Sequence, residues 1–198
     1  MGALKVLVVI IIIVAVTYSA LTYAANRKVE RQQYRLVKKI DNAEIRFYPK
    51  TVMATVSSRG DSYMGNSSNH FRTLAGYIFG GNKSSQKIAM TAPVHMEKDS
   101  AGNTMSFVMP SGYDITNLPQ PNDNSVDIHY SEEGYFAAIK FGGYANEHKI
   151  NTNIDQLKQV LADHGLKAIG SYSYLGYNSP WDVIGRENEI IVQIAYTE

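Results

Sequence analysis

The stretch Lys87-Ile-Ala-Met-Thr-Ala-Pro-Val-His-Met96 decides how this chain reads. Its bulky side chains alternate with small or polar ones, as on a strand whose successive residues face opposite ways. Ile88, Met90, Ala92, Val94 and Met96 share one face; Ala89, Thr91, Pro93 and His95 share the other. Pro93 has no backbone donor, so the strand must lie at a sheet edge or break its pairing there. The small side chains let a neighbouring backbone or a ligand approach closely.

On the N-terminal side of this stretch, Asn66–Phe79 has helical spacing, with Phe71, Leu74, Ala75 and Ile78 at i, i+3, i+4 and i+7. Asn66, Ser67 or Ser68 can cap it, and Gly80-Gly81-Asn82 ends it. Further back, Tyr34–Ile40, Glu44–Tyr48 and Thr51–Ser57 read as strands, with a turn at Asp41-Asn42. On the C-terminal side, Thr104–Met109 is a strand, and Ser111–Asn124 is a Pro/Asn/Asp/Gly-rich connection. Val126–Tyr130 and Gly134–Phe141 form a strand pair. Asn151–His164 is helical, capped by Thr152 or Asn153 and stopped by Gly165. Ile169–Tyr177 and Glu189–Tyr196 close the chain as strands.

This order runs twice. Leu74 to Pro93 and Leu161 to Pro180 are both nineteen positions apart. A shift of 87 also places Val52 on Ile139, Ala54 on Phe141, Phe107 on Ile194 and Met109 on Tyr196. The pattern predicts an α+β fold of two βαββ halves about an approximate two-fold axis. Their strands would make one large curved sheet or open barrel, with a helix from each half packed on it. Thr91-Ala92-Pro93-Val94 and Asn178-Ser179-Pro180-Trp181 would then occupy equivalent places.

A net charge of +1 in 198 residues gives no electrostatic case for nucleic acid. The absence of cysteine excludes disulfides, thiolate metal sites and a cysteine nucleophile. Leu4–Tyr23 is almost unbroken in hydrophobicity, with Lys5 its one charge. Its length suits a single-pass transmembrane anchor better than a cleaved signal peptide, although Thr22-Tyr23-Ala24 would serve as a cleavage site. The expected organisation is residues 1–25 as membrane anchor or signal segment, 26–33 as linker and 34–198 as the folded domain. The basic flank Arg27, Lys28, Arg31 and Arg35 points the domain to the cytoplasm, whereas a signal peptide would export it; the side stays open.

Lys87–Val94 (KIAMTAPV) closely resembles the signature of the SOUL haem-binding protein family. Tyr34–Pro49, Phe71–Asn82, Phe107–Pro110 with Leu118-Pro119, Tyr177–Trp181 and Arg186–Ile190 are similar to other family segments, in the family's order. The resemblance covers about Tyr34 to Ala195. It implies a pseudo-two-fold α+β fold, a distorted antiparallel barrel with two flanking helices, related to bacterial effector-binding domains. It also implies non-covalent binding of haem or another tetrapyrrole in a surface groove, and better supports binding than catalysis.

Such a site needs an apolar surface, cations for the propionates and often an axial ligand. The candidate groove residues are Phe71, Arg72, Lys87, Met90, Thr91 and Val94, with Tyr177 and Trp181 on the symmetric side. Arg46, Lys83 and Lys140 are further cations, expected to be solvated. Leu74, Ile78, Met90 and Val94 sit at spacings that equally suit core packing. His70, before Phe71, and His95, after the signature, are the candidate axial ligands. His129 reads as exposed on the polar face of its strand. No GxSxG, HExxH or phosphate-loop pattern occurs, so an enzyme is not expected. The expected function is a non-catalytic haem carrier near a membrane; the alternative is an effector-binding or protein-interaction module without haem.

Overall fold

From Glu30 onward the alternating segments fold chiefly into one antiparallel sheet. The computed structural model describes residues 2–26, 29–60, 62–100, 102–179, 182 and 185–198; in the first helix, side-chain surroundings are described for residues 2, 4–14, 17 and 18. Helix α1 (Gly2–Asn26) and the two-residue β1 (Glu30–Arg31) come first. They are followed by β2 (Arg35–Ile40), β3 (Ala43–Tyr48), β4 (Val52–Ser58), α2 (Ser67–Ile78), β5 (Thr91–Ala92), β6 (Val94–Lys98) and β7 (Asn103–Val108). The second part holds β8 (Asp127–Tyr130), β9 (Gly134–Gly142), α3 (Glu147–Asp163), β10 (Lys167–Ala168), β11 (Ser173–Gly176) and β12 (Glu187–Ala195).

The strand order is β2-β3-β9-β12-β11-β6-β7-β4-β8, with β10 beside β12. On either side of the central β6–β11 pair, β7 and β4 answer β12 and β9. Both helices pack on one face. Leu74, Tyr77 and Ile78 of α2 bury against Val52, Ala54, Val56, Met105 and Phe107. Ile150, Ile154, Leu157 and Leu161 of α3 bury against Ala137, Ile139, Ile190 and Val192. Met96 packs against both clusters. The opposite face, here the open face, carries the alternate residues of the same strands. Glu30–Arg31 pairs in parallel with Thr91–Ala92, and the Gln32 amide donates to the Ala92 carbonyl at 2.8 Å.

Three expectations are corrected. The sheet is not a closed barrel: among the described residues β2 and β8 are its unpaired edges. A bulge between Leu36 and Lys38, exposed Lys38 and Lys39, and a β8 of only four residues keep the edges apart. Second, the predicted transmembrane helix is not found: among the described residues no helix is long and apolar enough to cross a membrane. Crossing needs about twenty apolar residues. The uninterrupted run in α1 is Val6–Val16, with Lys5 before it and Thr17 after it, whose hydroxyl donates to the Ile13 carbonyl.

Third, Thr91–Val94 and the end of β11, which leads to Asn178-Ser179, are neighbours and not symmetry mates; Pro180 and Trp181 lie outside the described residues. Val94 pairs with Gly176, so the start of β6 lies beside the end of β11. Pro93 separates β5 from β6, and Lys87–Met90 lies outside the strands. Helix α3 also starts four residues earlier than its apolar stripe predicts, because the Asn146 side chain accepts from the Lys149 amide and caps it there.

Candidate functional site

Helix α2 buries Leu74, Tyr77 and Ile78 and turns Arg72 and Gly76 outward. Phe79, just past its end, is 63% exposed, and Phe71 is 39% exposed, its ring edge-on to Phe107 at 5.3 Å. A Cβ placed on Gly76 would meet nothing within 4 Å, so the helix surface is open there. Two features fold the following loop back. A Cβ on Gly81 would sit 2.6 Å from the Gly76 carbonyl oxygen, so only glycine fits. The buried Asn82 amide donates to the Tyr77 and Gln86 carbonyls, and its oxygen accepts from the Gln86 amide. Lys87 thereby bridges to Phe79, and the Ile88 amide reaches the Ile78 carbonyl at 2.8 Å.

Charge is one-sided in this part of the chain. From Ser62 to Met96 there is no Asp or Glu, while Arg72, Lys83 and Lys87 are all exposed. Phe71 and Arg72 are exposed on α2, and Lys87 is exposed beside Phe79 at the helix end. Met90 and Val94, partly buried, pack into the cluster beneath it.

The other predicted residues lie elsewhere. Thr91 is buried and its hydroxyl donates to the Val108 carbonyl. His70 is buried, with Nε2 2.9 Å from Ser58 Oγ; burial lowers its pKa. His95 lies on the open face and its Nε2 donates to Gln32 Oε1 at 2.7 Å. Burial pushes His95 down to about 4, so the ring is neutral. Both imidazoles are engaged, and neither is offered to the α2 surface. Tyr177 is also on the open face, its hydroxyl donating to Glu189 at 2.8 Å and its ring under the Arg31 guanidinium. Trp181 lies outside the described residues.

The open face holds a charged cluster that the sequence did not reveal. Arg46, expected to be solvated, is fully buried. Its guanidinium donates to both oxygens of Glu189 at 2.8 Å, to Glu44 and to the Tyr48 hydroxyl. The Tyr34 ring stacks over it at 4.1 Å. Burial opposes the Arg46 charge most strongly, but the hydrogen bonds and charge interactions with Glu189 and Tyr48 together outweigh it and the pKa is raised. Burial also raises Glu44, yet the Arg46 hydrogen bond and charge bring it below the usual carboxylate range. Burial, then the Glu189 charge, holds Tyr177 well above the usual phenol range. Glu44, Arg46 and Tyr48 do alternate along β3; what covers that face is set by strands distant in sequence. Among the described residues, no group of three or more His, Asp or Glu could hold a metal ion.

The profile of the SOUL heme-binding protein family matches residues 29–193, and the chain belongs to that family. It is 29% identical over 124 residues to Heme-binding protein 1 of Xenopus laevis, covering 59% of this chain and 65% of that one, just under two thirds of its length. It is 29% identical over 156 residues to Heme-binding protein 2 of Homo sapiens, covering 74% and 75%. A hydrolase from Listeria innocua superposes with a TM-score of 0.58 over 80% of this chain and 94% of that one, at 11% identity. The EcmrR C-terminal domain superposes with a TM-score of 0.59 over 78% and 98%, at 10% identity. At such identities these likenesses show the fold alone.

Proposed function

We propose that this protein binds haem non-covalently on the outer face of α2 and acts as a carrier or buffer, not a catalyst. The observation that carries this reading is the exposed pair Phe71 and Phe79 around open Gly76, flanked by Arg72, Lys83 and Lys87 with no acid from Ser62 to Met96. A flat apolar ring with two carboxylates needs aromatic contact for its face and cations for its edge. Phe79 and Phe71 would cover the ring, and Arg72 and Lys87 would hold the propionates. The relatives named for heme binding support the choice of ligand. In this reading neither His70 nor His95 is an axial ligand, since each is buried and hydrogen-bonded and His95 lies on the opposite sheet face. The exposed described side chains of this face include no Asp, Glu or His, which suits holding and release.

The test is titration of the full chain with haemin, followed by the Soret band. A saturable shift at micromolar haemin is expected. Arg72→Ala/Lys87→Ala should weaken it about tenfold, from two exposed charge contacts of about 0.7 kcal/mol each. His70→Ala and His95→Ala should leave the spectrum unchanged. No saturable shift, or a spectrum lost in either histidine variant, would overturn the reading.

A further inference from the structure

The open face carries a cavity of its own, about 380 Å³, on the side of the sheet away from α2. Its wall combines the Tyr48 and Phe136 rings, packed edge to face at 5.4 Å, with the hydroxyls of Thr55 and Ser106. Glu97 and Glu132 stand exposed at its rim, and no Lys or Arg is among its described lining residues. Two imidazoles, His95 and His129, also line the wall. His129 Nδ1 donates to the Tyr130 carbonyl, and its Nε2 lies 2.8 Å from the Thr55 hydroxyl, which is itself hydrogen-bonded to the Ser106 hydroxyl at 2.7 Å. His95 is buried and neutral, its Nε2–H committed to Gln32, which roofs the cavity.

We propose that this cavity is a second binding site, for a small cationic molecule carrying an apolar ring, and is separate from the haem face. Aromatic ring faces and carboxylates both attract a cation, more strongly where water is excluded. The volume lies in the range of small-molecule sites. A dianionic tetrapyrrole would meet two carboxylates and no Lys or Arg among the described lining residues, so the two surfaces of this protein divide ligands by sign of charge.

The probe is thioflavin T, a cationic dye whose fluorescence rises when its rings are held. Titration of the full chain should give a saturable one-to-one rise that haemin does not displace and that the anionic dye 1-anilinonaphthalene-8-sulfonate does not compete for. Glu97→Gln/Glu132→Gln should weaken the dye about tenfold. Ser171→Trp, on the exposed rim, should block it while leaving haemin binding unchanged. Absence of a saturable rise, displacement by haemin, or binding unaffected by Ser171→Trp would overturn the proposal. None of these outcomes depends on the haemin titration succeeding with the α2 variants.

Discussion

Replacing Glu189 by Gln tests whether the Arg46 cluster holds the two parts of the open face together. Arg46 is fully buried and Glu189 is 4% exposed, with two N–H···O contacts of 2.8 Å between them. Glutamine removes the charge and turns one acceptor into an NH₂ group that faces guanidinium donors. Breaking a buried ion pair costs roughly 3–5 kcal/mol, because the remaining charge is left without compensation. Here Glu44 still holds Arg46, at 2.6 Å, so the lower end applies, about 3 kcal/mol. For a chain of this size that lowers Tm by about 9 °C. Arg46→Met should cost a similar amount, since it strands Glu189 with the Tyr177 hydroxyl and a distant Lys140. The double variant should cost at least about 1.5 kcal/mol less than the sum, because each single change has already broken the shared contact. Urea unfolding of the four proteins measures this. Additivity within about 0.5 kcal/mol would refute the argument that the two charges depend on each other.

Other outcomes follow from single features. His95 has its folded pKa pressed down to about 4 against about 6.5 unfolded, so the unfolded chain binds the extra proton as pH falls through that window. Stability contributed by neutral His95 should be present above pH 6.5 and drop by about 3 kcal/mol by pH 4; urea midpoints against pH should lose that component in His95→Gln. Gly76→Ala should stabilise α2 by about 0.5–1 kcal/mol, since its Cβ points into open space, whereas Gly76→Trp should keep the fold by circular dichroism and abolish the haemin shift. Gly81→Ala should cost about 1–3 kcal/mol through the clash with the Gly76 carbonyl, and weaken haemin binding by displacing the Lys87 loop; unchanged thermal unfolding would contradict that packing argument.

Local patterns carried part of this molecule into view. The alternation in Lys87–Met96 correctly divides Met90, Val94 and Met96, which face the helices, from Thr91 and His95, which do not. The stripe Leu74 and Ile78 reads as core because helical spacing depends on few neighbours. The glycine-asparagine exit, which carries Lys87 back to Phe79, is legible in sequence. The burial of Arg46 is not, because its cover comes from β12 and from Tyr34, 143 and 12 positions away. His129 misled for the same reason: Thr55 partners it across β4 and β8. The open sheet edge and the short apolar run in α1 were misjudged for a different cause. Closure depends on whether the terminal strands meet, and spanning depends on uninterrupted length, neither of which a hydropathy pattern of strands and helices fixes.

The two apolar clusters under α2 and α3 share Met96 as a common neighbour, an unbranched side chain that tolerates rearrangement. Each helix therefore rests on largely its own set of contacts. In terms of local opening, the molecule has two units whose amide protection can differ although they share one sheet. A ligand on α2 would slow exchange around Leu74 and Phe107 first, and the amides behind Leu157 and Ile190 would keep their own clock.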